Sequence, residues 1–187
     1  MHNQANLPNS TDEFSSSAAH GSVVWVTGLS GSGKTTVARL LKTALEERHH
    51  RVVLLDGDEL RSFMPLGDLY DSDSRLKLAM AYSGLCRLLA RQGFTVVCAT
   101  ISMRKEIYAW NRKHIQNYRE IFLDVPAEIR ASRDPKNYYA RIEDNRLAEF
   151  AGHDLGVDFP SAPDLHLKPV AGEGPAMAVA KILSLLD

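Results

Sequence analysis

The stretch "VVWVTGLSGSGKTTVARLL", residues 23–41, constrains the fold of this chain more than any other segment. Val23 to Thr27 form an unbroken apolar, mostly β-branched run. Such a run, without polar alternation, is the pattern of a strand buried on both faces, as in a parallel sheet. Glycines follow at 28, 31 and 33, and then Val37, Leu40, Leu41 and Leu45 mark one face of a helix, with Arg39, Lys42, Glu46 and Glu47 elsewhere. Similar strand runs recur as "VVLLD" at 52–56, "TVVCAT" at 95–100, "EIFLDV" at 120–125 and "DLHL" at 164–167. Helix-period segments separate them. One runs from Arg75 to Arg91 and ends near Gly93, and the last begins with Pro175 in its first turn. This alternation predicts βαβ crossovers and an α/β fold, a five-stranded parallel sheet flanked by helices. The domain is expected over residues 22–187, after a disordered polar tail at 1–21.

Composition limits the function classes. The apolar and charged fractions, 44% and 24%, are those of an ordinary globular chain of 187 residues. A net charge of -1 gives no basic surface for nucleic acid or a membrane, and neither is expected as a partner. No apolar run is long enough to cross a bilayer, and residues 1–20 lack the basic start and apolar core of a secretory signal, so a cytoplasmic protein is expected. Cys86 and Cys98 have neither metal nor redox spacing and read as buried free thiols.

Chemistry enters through the glycine-rich loop. Gly28-x4-Gly33-Lys34-Thr35 satisfies G-x-x-x-x-G-K-[ST] between a predicted strand and a predicted helix. Glycines allow backbone conformations in which successive N–H groups point inward at phosphate oxygens, and the helix N-terminus adds partial positive charge. The expected cofactor is therefore ATP with Mg²⁺. Gly28, Ser30, Gly31, Ser32, Gly33, Lys34, Thr35 and Thr36 would cradle the phosphates, Lys34 would reach the β/γ-phosphates, and Thr35 would offer its hydroxyl to the metal. "LLDGDELR" at 54–61 closes the second strand, so Asp56 and Asp58 are expected beside this loop, at the carboxyl edge of the sheet. A carboxylate there can help hold Mg²⁺ or accept the proton of an attacking hydroxyl. Taken alone, Asp-Gly-Asp is also good turn chemistry. No N-K-x-D guanine reader is present, and a compact chain of this kind suggests a small-molecule P-loop kinase.

Four strings, "GLSGSGKTT", "LLDGDELR", "TIS" at 100–102 and "RDPKNYY" at 133–139, resemble the adenylylsulfate kinases over residues 22–168. Those enzymes move the γ-phosphate of ATP to the 3′-hydroxyl of adenosine 5′-phosphosulfate. The resemblance implies that Asp58 is the general base, with Asp56 its structural or metal-linked neighbour. It implies that Arg61 and Arg75 hold the anionic part of a nucleotide acceptor, and that Tyr70 and Phe150 pack on its base. Ile101 and Ser102 match a turn whose serine is a candidate phosphorylated intermediate; in-line transfer needs no covalent serine, so Ser102 is read as positioning the acceptor. Arg133, Asp134 and Lys136 match the start of a lid over ATP, expected at 133–150. A homodimer is also implied.

The chain departs from that pattern mainly on the acceptor side. Leu78, Met80 and Ala81 stand where the family has Asn, Arg and Arg, Thr100 replaces Phe, and Met103 replaces Pro. In the lid, Ala140 and Glu143 stand where Lys and Arg are common. Drift with helix repacking and a changed acceptor both account for this. Trp110, Asn111, Arg112, Asn117 and Tyr118 resemble a subgroup found with surface-polysaccharide genes, which includes cytidine diphosphoramidate kinase. That acceptor is the alternative. A nucleotide-binding regulator without turnover is a rival of another class, and Asp58, Arg61 and Arg75 argue against it. His49 and His50 read as solvent-facing, His153, at the expected end of the lid, as a surface or packing residue in preference to a substrate contact, His166 as structural, and residues 61–73 as a mobile acceptor loop.

Overall fold

The computed structural model describes residues 20–63, 72–133, 157–169 and 173–187. The polar tail up to residue 19, Tyr70, the lid from Asp134 onward with Lys136 and Phe150, and His153 lie outside the described residues. The strands are β1 (Val23–Thr27), β2 (Val52–Asp56), β3 (Thr95–Ala99), β4 (Tyr118–Leu123) and β5 (Leu165–Leu167). The helices are α1 (Lys34–Glu47), α2 (Gly57–Phe63), α3 (Ser72–Arg91), α4 (Lys105–His114), α5 (Ala127–Ser132) and α6 (Pro175–Leu186). All pairings are parallel, in the order β2-β3-β1-β4-β5. The five-stranded parallel sheet flanked by helices is therefore the fold that the strand runs predict.

Alternation along β1 builds two cores from one strand. Val23 and Trp25 face one side, where they pack with Leu78, Tyr82 and Cys86 of α3 and Ile107 of α4. Val24 and Val26 face the other, where Val37, Leu41 and Leu45 of α1 meet Val179 and Ile182 of α6. Both faces of β1 are fully buried, which is why its sequence shows no polar alternation. Cys86 and Cys98 are buried free thiols, as expected. His49 and His50 are exposed, also as expected.

Three local readings change. α3 starts at Ser72, three residues before the periodic run, and β4 begins at Tyr118, which pairs with Val23. The Asp-Gly-Asp string opens α2 instead of forming a turn, with Asp58 and Glu59 in the first turn where the helix N-terminus favours acidic groups. Residues 61–63 and 72–73 of the expected loop are helical, and the rest of it lies outside the described residues. Among the described residues no helix is long and apolar enough to cross a membrane.

The segment from Trp110 to Glu120 folds at the amino edge of the sheet, opposite the end where the glycine loop leaves β1. There Arg112 Nη2 donates to the Ala162 carbonyl at 2.8 Å and lies 3.1 Å from Asp164 Oδ2 and 3.7 Å from Glu120 Oε2. Tyr118 donates its hydroxyl to Glu120 Oε2 at 3.0 Å, and Asn111 donates to the Tyr118 hydroxyl at 3.4 Å. Asn117 Nδ2 reaches the His20 and Gly21 carbonyls at 3.3 and 3.2 Å, and the Trp110 ring stacks on His114 at 4.6 Å. The group fastens α4, β4 and the approach to β5 into one unit.

Burial raises the Glu120 carboxyl above its ordinary value, against the pull of the Arg112 guanidinium and the Tyr118 hydroxyl. A raised folded-state pKa means the ionised form costs stability, and that cost disappears as pH falls through the folded value. Relative to Glu120→Gln, the wild type is therefore expected to gain stability as pH is lowered from about 7 towards about 5. Denaturant unfolding of both proteins across that range checks this; a wild type that loses ground on acidification overturns it.

Candidate active site

The glycine loop leaves β1 at the carboxyl edge of the sheet and turns into α1. Gly28, Gly31 and Gly33 have φ of 152°, 76° and 89°, a region that costs side-chain-bearing residues energy. Two of them also lack room. A Cβ on Gly28 would lie 2.6 Å from the Leu123 carbonyl oxygen, and one on Gly31 would lie 2.7 Å from that of Arg130. Gly33, the N-cap of α1, faces open space, with nothing within 4 Å of its Cβ direction. That opening lies over the first turn of a 14-residue helix whose first turn holds no acidic residue. Ser32 Oγ is buried in the loop with no hydrogen-bond partner. An open glycine loop at a helix N-terminus, with an unpartnered hydroxyl in its wall, fits a phosphate chain. Lys34 arches back over the loop, donating from Nζ to the Leu29 carbonyl at 2.9 Å.

Thr35, the next residue, looks across the sheet. Its hydroxyl donates to Asp56 Oδ2 at 2.6 Å. The other oxygen of Asp56 accepts the Asp58 backbone N–H at 2.9 Å. One carboxylate thus joins the first turn of α1 to the first turn of α2. A hydroxyl and a carboxylate side by side are the hard oxygen donors that Mg²⁺ takes alongside phosphate and water. Among the described residues no group of three or more His, Cys, Asp or Glu side chains converges, so an all-protein metal cage is not what this site resembles.

Asp58 and Arg61 lie on α2, and Arg75 on the first turns of α3. Arg61, Asp58 and Asp56 all lie within electrostatic range of the Tyr82 hydroxyl. Ile101 and Ser102 follow β3. The Ile101 carbonyl accepts the Thr27 hydroxyl at 2.5 Å, which pins this turn to the end of β1. Ser102 has φ of 29°, unusual for a residue with a side chain, and its Oγ is 2.8 Å from Thr100 Oγ1. Arg133 caps α5 and is exposed, whereas the Arg130 backbone is what lies against Gly31. His166 is exposed; its Nε2 is 2.9 Å from Asp124 Oδ2 and its ring stacks on Phe122 at 5.0 Å.

The structure therefore gathers Gly28 to Thr36, Asp56, Asp58, Ile101 and Ser102 at one edge of the sheet. Sequence reasoning missed Tyr82, Arg104 and Arg130, and read Thr100 only as a departure from the family pattern. Arg104 donates to Ser72 Oγ at 2.8 Å and so ties the turn after Ser102 to the start of α3. Tyr82 carried one signal, a polar group on an otherwise apolar helical face seven residues after Arg75. On the same helix Leu78 is buried in the core and Met80 packs against it, while Ala81 is exposed. Two of the three departures on α3 are thus spent on packing.

Comparison with known proteins agrees with this geometry. The adenylylsulphate kinase family model matches residues 20–168. A cytidine diphosphoramidate kinase of Campylobacter jejuni is 37% identical over 141 residues, covering 75% of this chain and 82% of that protein. An adenylyl-sulfate kinase of Pseudomonas aeruginosa is 32% identical over 167 residues, covering 88% and 85%. The structure of the Mycobacterium tuberculosis APS kinase CysC in complex with AMPPNP and APS superposes with a TM-score of 0.83 at 33% identity, covering 89% of this chain and 98% of that one. A glycine loop of this form at the carboxyl edge of this sheet, matched by enzymes of one kind along most of their length, has one reading: the chain belongs to the adenylylsulphate kinase family of phosphotransferases.

Proposed function

We propose that this protein transfers the γ-phosphate of ATP to a hydroxyl of a small anionic nucleotide, with adenosine 5′-phosphosulfate as the first reading of the acceptor. The observation that carries the proposal is the Thr35–Asp56–Asp58 linkage, which puts a metal-type donor pair and a second carboxylate beside the phosphate cradle. The C. jejuni relative favours a second reading, with cytidine diphosphoramidate as the acceptor. The Trp110–Tyr118 segment favours neither directly, since it folds at the opposite edge of the sheet. We take the protein to be cytoplasmic, where ATP is abundant, and a homodimer, which light scattering checks.

In this mechanism the loop N–H groups and Lys34 hold the β- and γ-phosphates, and Thr35 with Asp56 would hold Mg²⁺. When bound, the metal neutralises charge that develops on the phosphate oxygens. Asp58 takes the proton of the attacking hydroxyl. Arg61 and Arg75 grip the acceptor's anionic end, for which planar guanidiniums are suited. Ser102, held by Thr100, positions the acceptor without forming a covalent intermediate. Arg133 stands at the start of the ATP lid, and Tyr70 and Phe150 would clamp the acceptor base. Positioning and charge neutralisation supply most of the rate in phosphoryl transfer, and this division of labour supplies both.

Three outcomes are expected. Lys34→Ala lowers transfer at least about a hundredfold while far-ultraviolet circular dichroism stays native. Asp58→Asn lowers kcat by about a hundredfold or more with little change in ATP affinity; an unchanged kcat would move the base elsewhere. In a coupled assay of ATP consumption with adenylylsulfate, with cytidine diphosphoramidate and with no acceptor, turnover with adenylylsulfate alone supports the first reading. Turnover with the cytidine compound alone supports the second, and equal turnover without acceptor overturns both.

A further inference from the structure

Tyr82 is a buried tyrosine, only 2% exposed, in a core built mainly from apolar side chains. Its ring belongs to the cluster of Trp25, Leu55, Leu60 and Leu78. A phenol in such a place must find an acceptor or cost stability. The acceptor is the carbonyl oxygen of Gly57, at 3.3 Å. Gly57 is the first residue of α2 and sits between Asp56 and Asp58. Its backbone packs closely against the end of β3, where a Cβ on Gly57 would lie 2.9 Å from Thr100 Oγ1.

The junction of β2 and α2 at Asp56–Gly57–Asp58 is thus held from three directions. Thr35 of α1 holds the Asp56 carboxylate, Thr100 bounds Gly57, and Tyr82 of α3 holds the Gly57 carbonyl. Only the third comes from the helix that also carries Arg75. Residues 75 and 82 are two helical turns apart and so lie on the same side of α3. Burial pushes the Tyr82 phenol up to about 12, with the Arg61 charge pulling down and Asp58 and Asp56 pushing further up. The hydroxyl therefore stays a neutral donor across the range in which kinases work.

We propose that Tyr82 is a positioning residue, whose hydroxyl fastens the first turn of α2, with Asp58 and Arg61, to α3, with Arg75. The proposal rests on the reading above, in which those three side chains serve the acceptor. It assigns Tyr82 no contact with ATP or acceptor. The phosphate cradle and the Thr35–Asp56 bond do not depend on it, so loss of the hydroxyl should slow transfer and spare nucleotide binding.

Tyr82→Phe tests this, because the ring still fills the core. Expected are a kcat lowered about three- to tenfold, the effect of one lost hydrogen bond, with KM for ATP within about twofold of wild type. The lowering should be constant across pH, and amide exchange at residues 58–61 should be faster in the free protein. Ser83→Ala, which alters a neighbouring buried hydroxyl with no hydrogen-bond partner in the structure, serves as the control and should leave both readouts at wild-type values. An unchanged kcat, an equal rise in KM for ATP, or unchanged exchange at 58–61 overturns the proposal. Equal losses in Ser83→Ala also overturn it, since they would trace the effect to α3 stability. Were the wild type itself to show no acceptor-dependent turnover, the functional reading would fall, and amide exchange alone would still decide whether Tyr82 tethers α2.

Discussion

The 2.6 Å hydrogen bond from Thr35 to Asp56 is the contact on which the rest of the site depends. Thr35 belongs to the helix that leaves β1, at the centre of the sheet, whereas Asp56 ends β2, at its edge. The two meet because α1 lies across the sheet face, burying Val37, Leu41 and Leu45 against Val24, Val26 and Val97. Packing of that apolar stripe sets the height of the glycine loop above β2. The carboxylate then orients α2 through the Asp58 N–H, so the position of one acidic residue passes to the next by a backbone bond. Asp56, held in this way at the edge of the sheet, comes preorganised, which is what transfer chemistry draws on.

The two edges of the sheet serve different ends. The carboxyl edge is built of strained or glycine backbone, with Gly28, Gly31, Gly33 and Ser102 all at positive φ. The amino edge is built of side-chain bonds, with Arg112, Glu120, Asp164, Tyr118 and Asn111 in one connected group. Glu120 is 1% exposed, so that group must stay connected or leave a buried charge. A sequence segment resembling a surface-polysaccharide subgroup therefore turns out to be a fastening. Any bearing it has on the acceptor runs through the scaffold.

Local pattern carried much of this architecture. The strands at 23–27 and 52–56 are legible to the residue as short apolar, β-branched runs; β1 is buried throughout, whereas β2, at the sheet's edge, is only partly buried except at Leu55. The closing helix is legible from Pro175 and its apolar period. α2 was not, since a seven-residue helix opening on Gly and Asp has the composition of a turn, and its existence depends on Leu60 reaching the core. α4 was hidden for a related reason: its polar residues, Asn111 and Arg112, point into a network that no local period reveals.

The sequence by itself determined the class of chemistry. A strand, a glycine loop with Lys34 and Thr35, and a helix leave little choice but a phosphate cradle, because the needed backbone angles and N–H directions are local properties of those residues. The alternation of strand and helix segments likewise determined the parallel sheet. Tertiary structure alone decided which groups meet. Tyr82 lies 25 residues from Gly57, and Thr35 lies 21 from Asp56. Such pairs come together only when α1 and α3 bury their apolar faces on opposite sides of one sheet. The polar contacts follow from that burial, and no spacing along the chain encodes them.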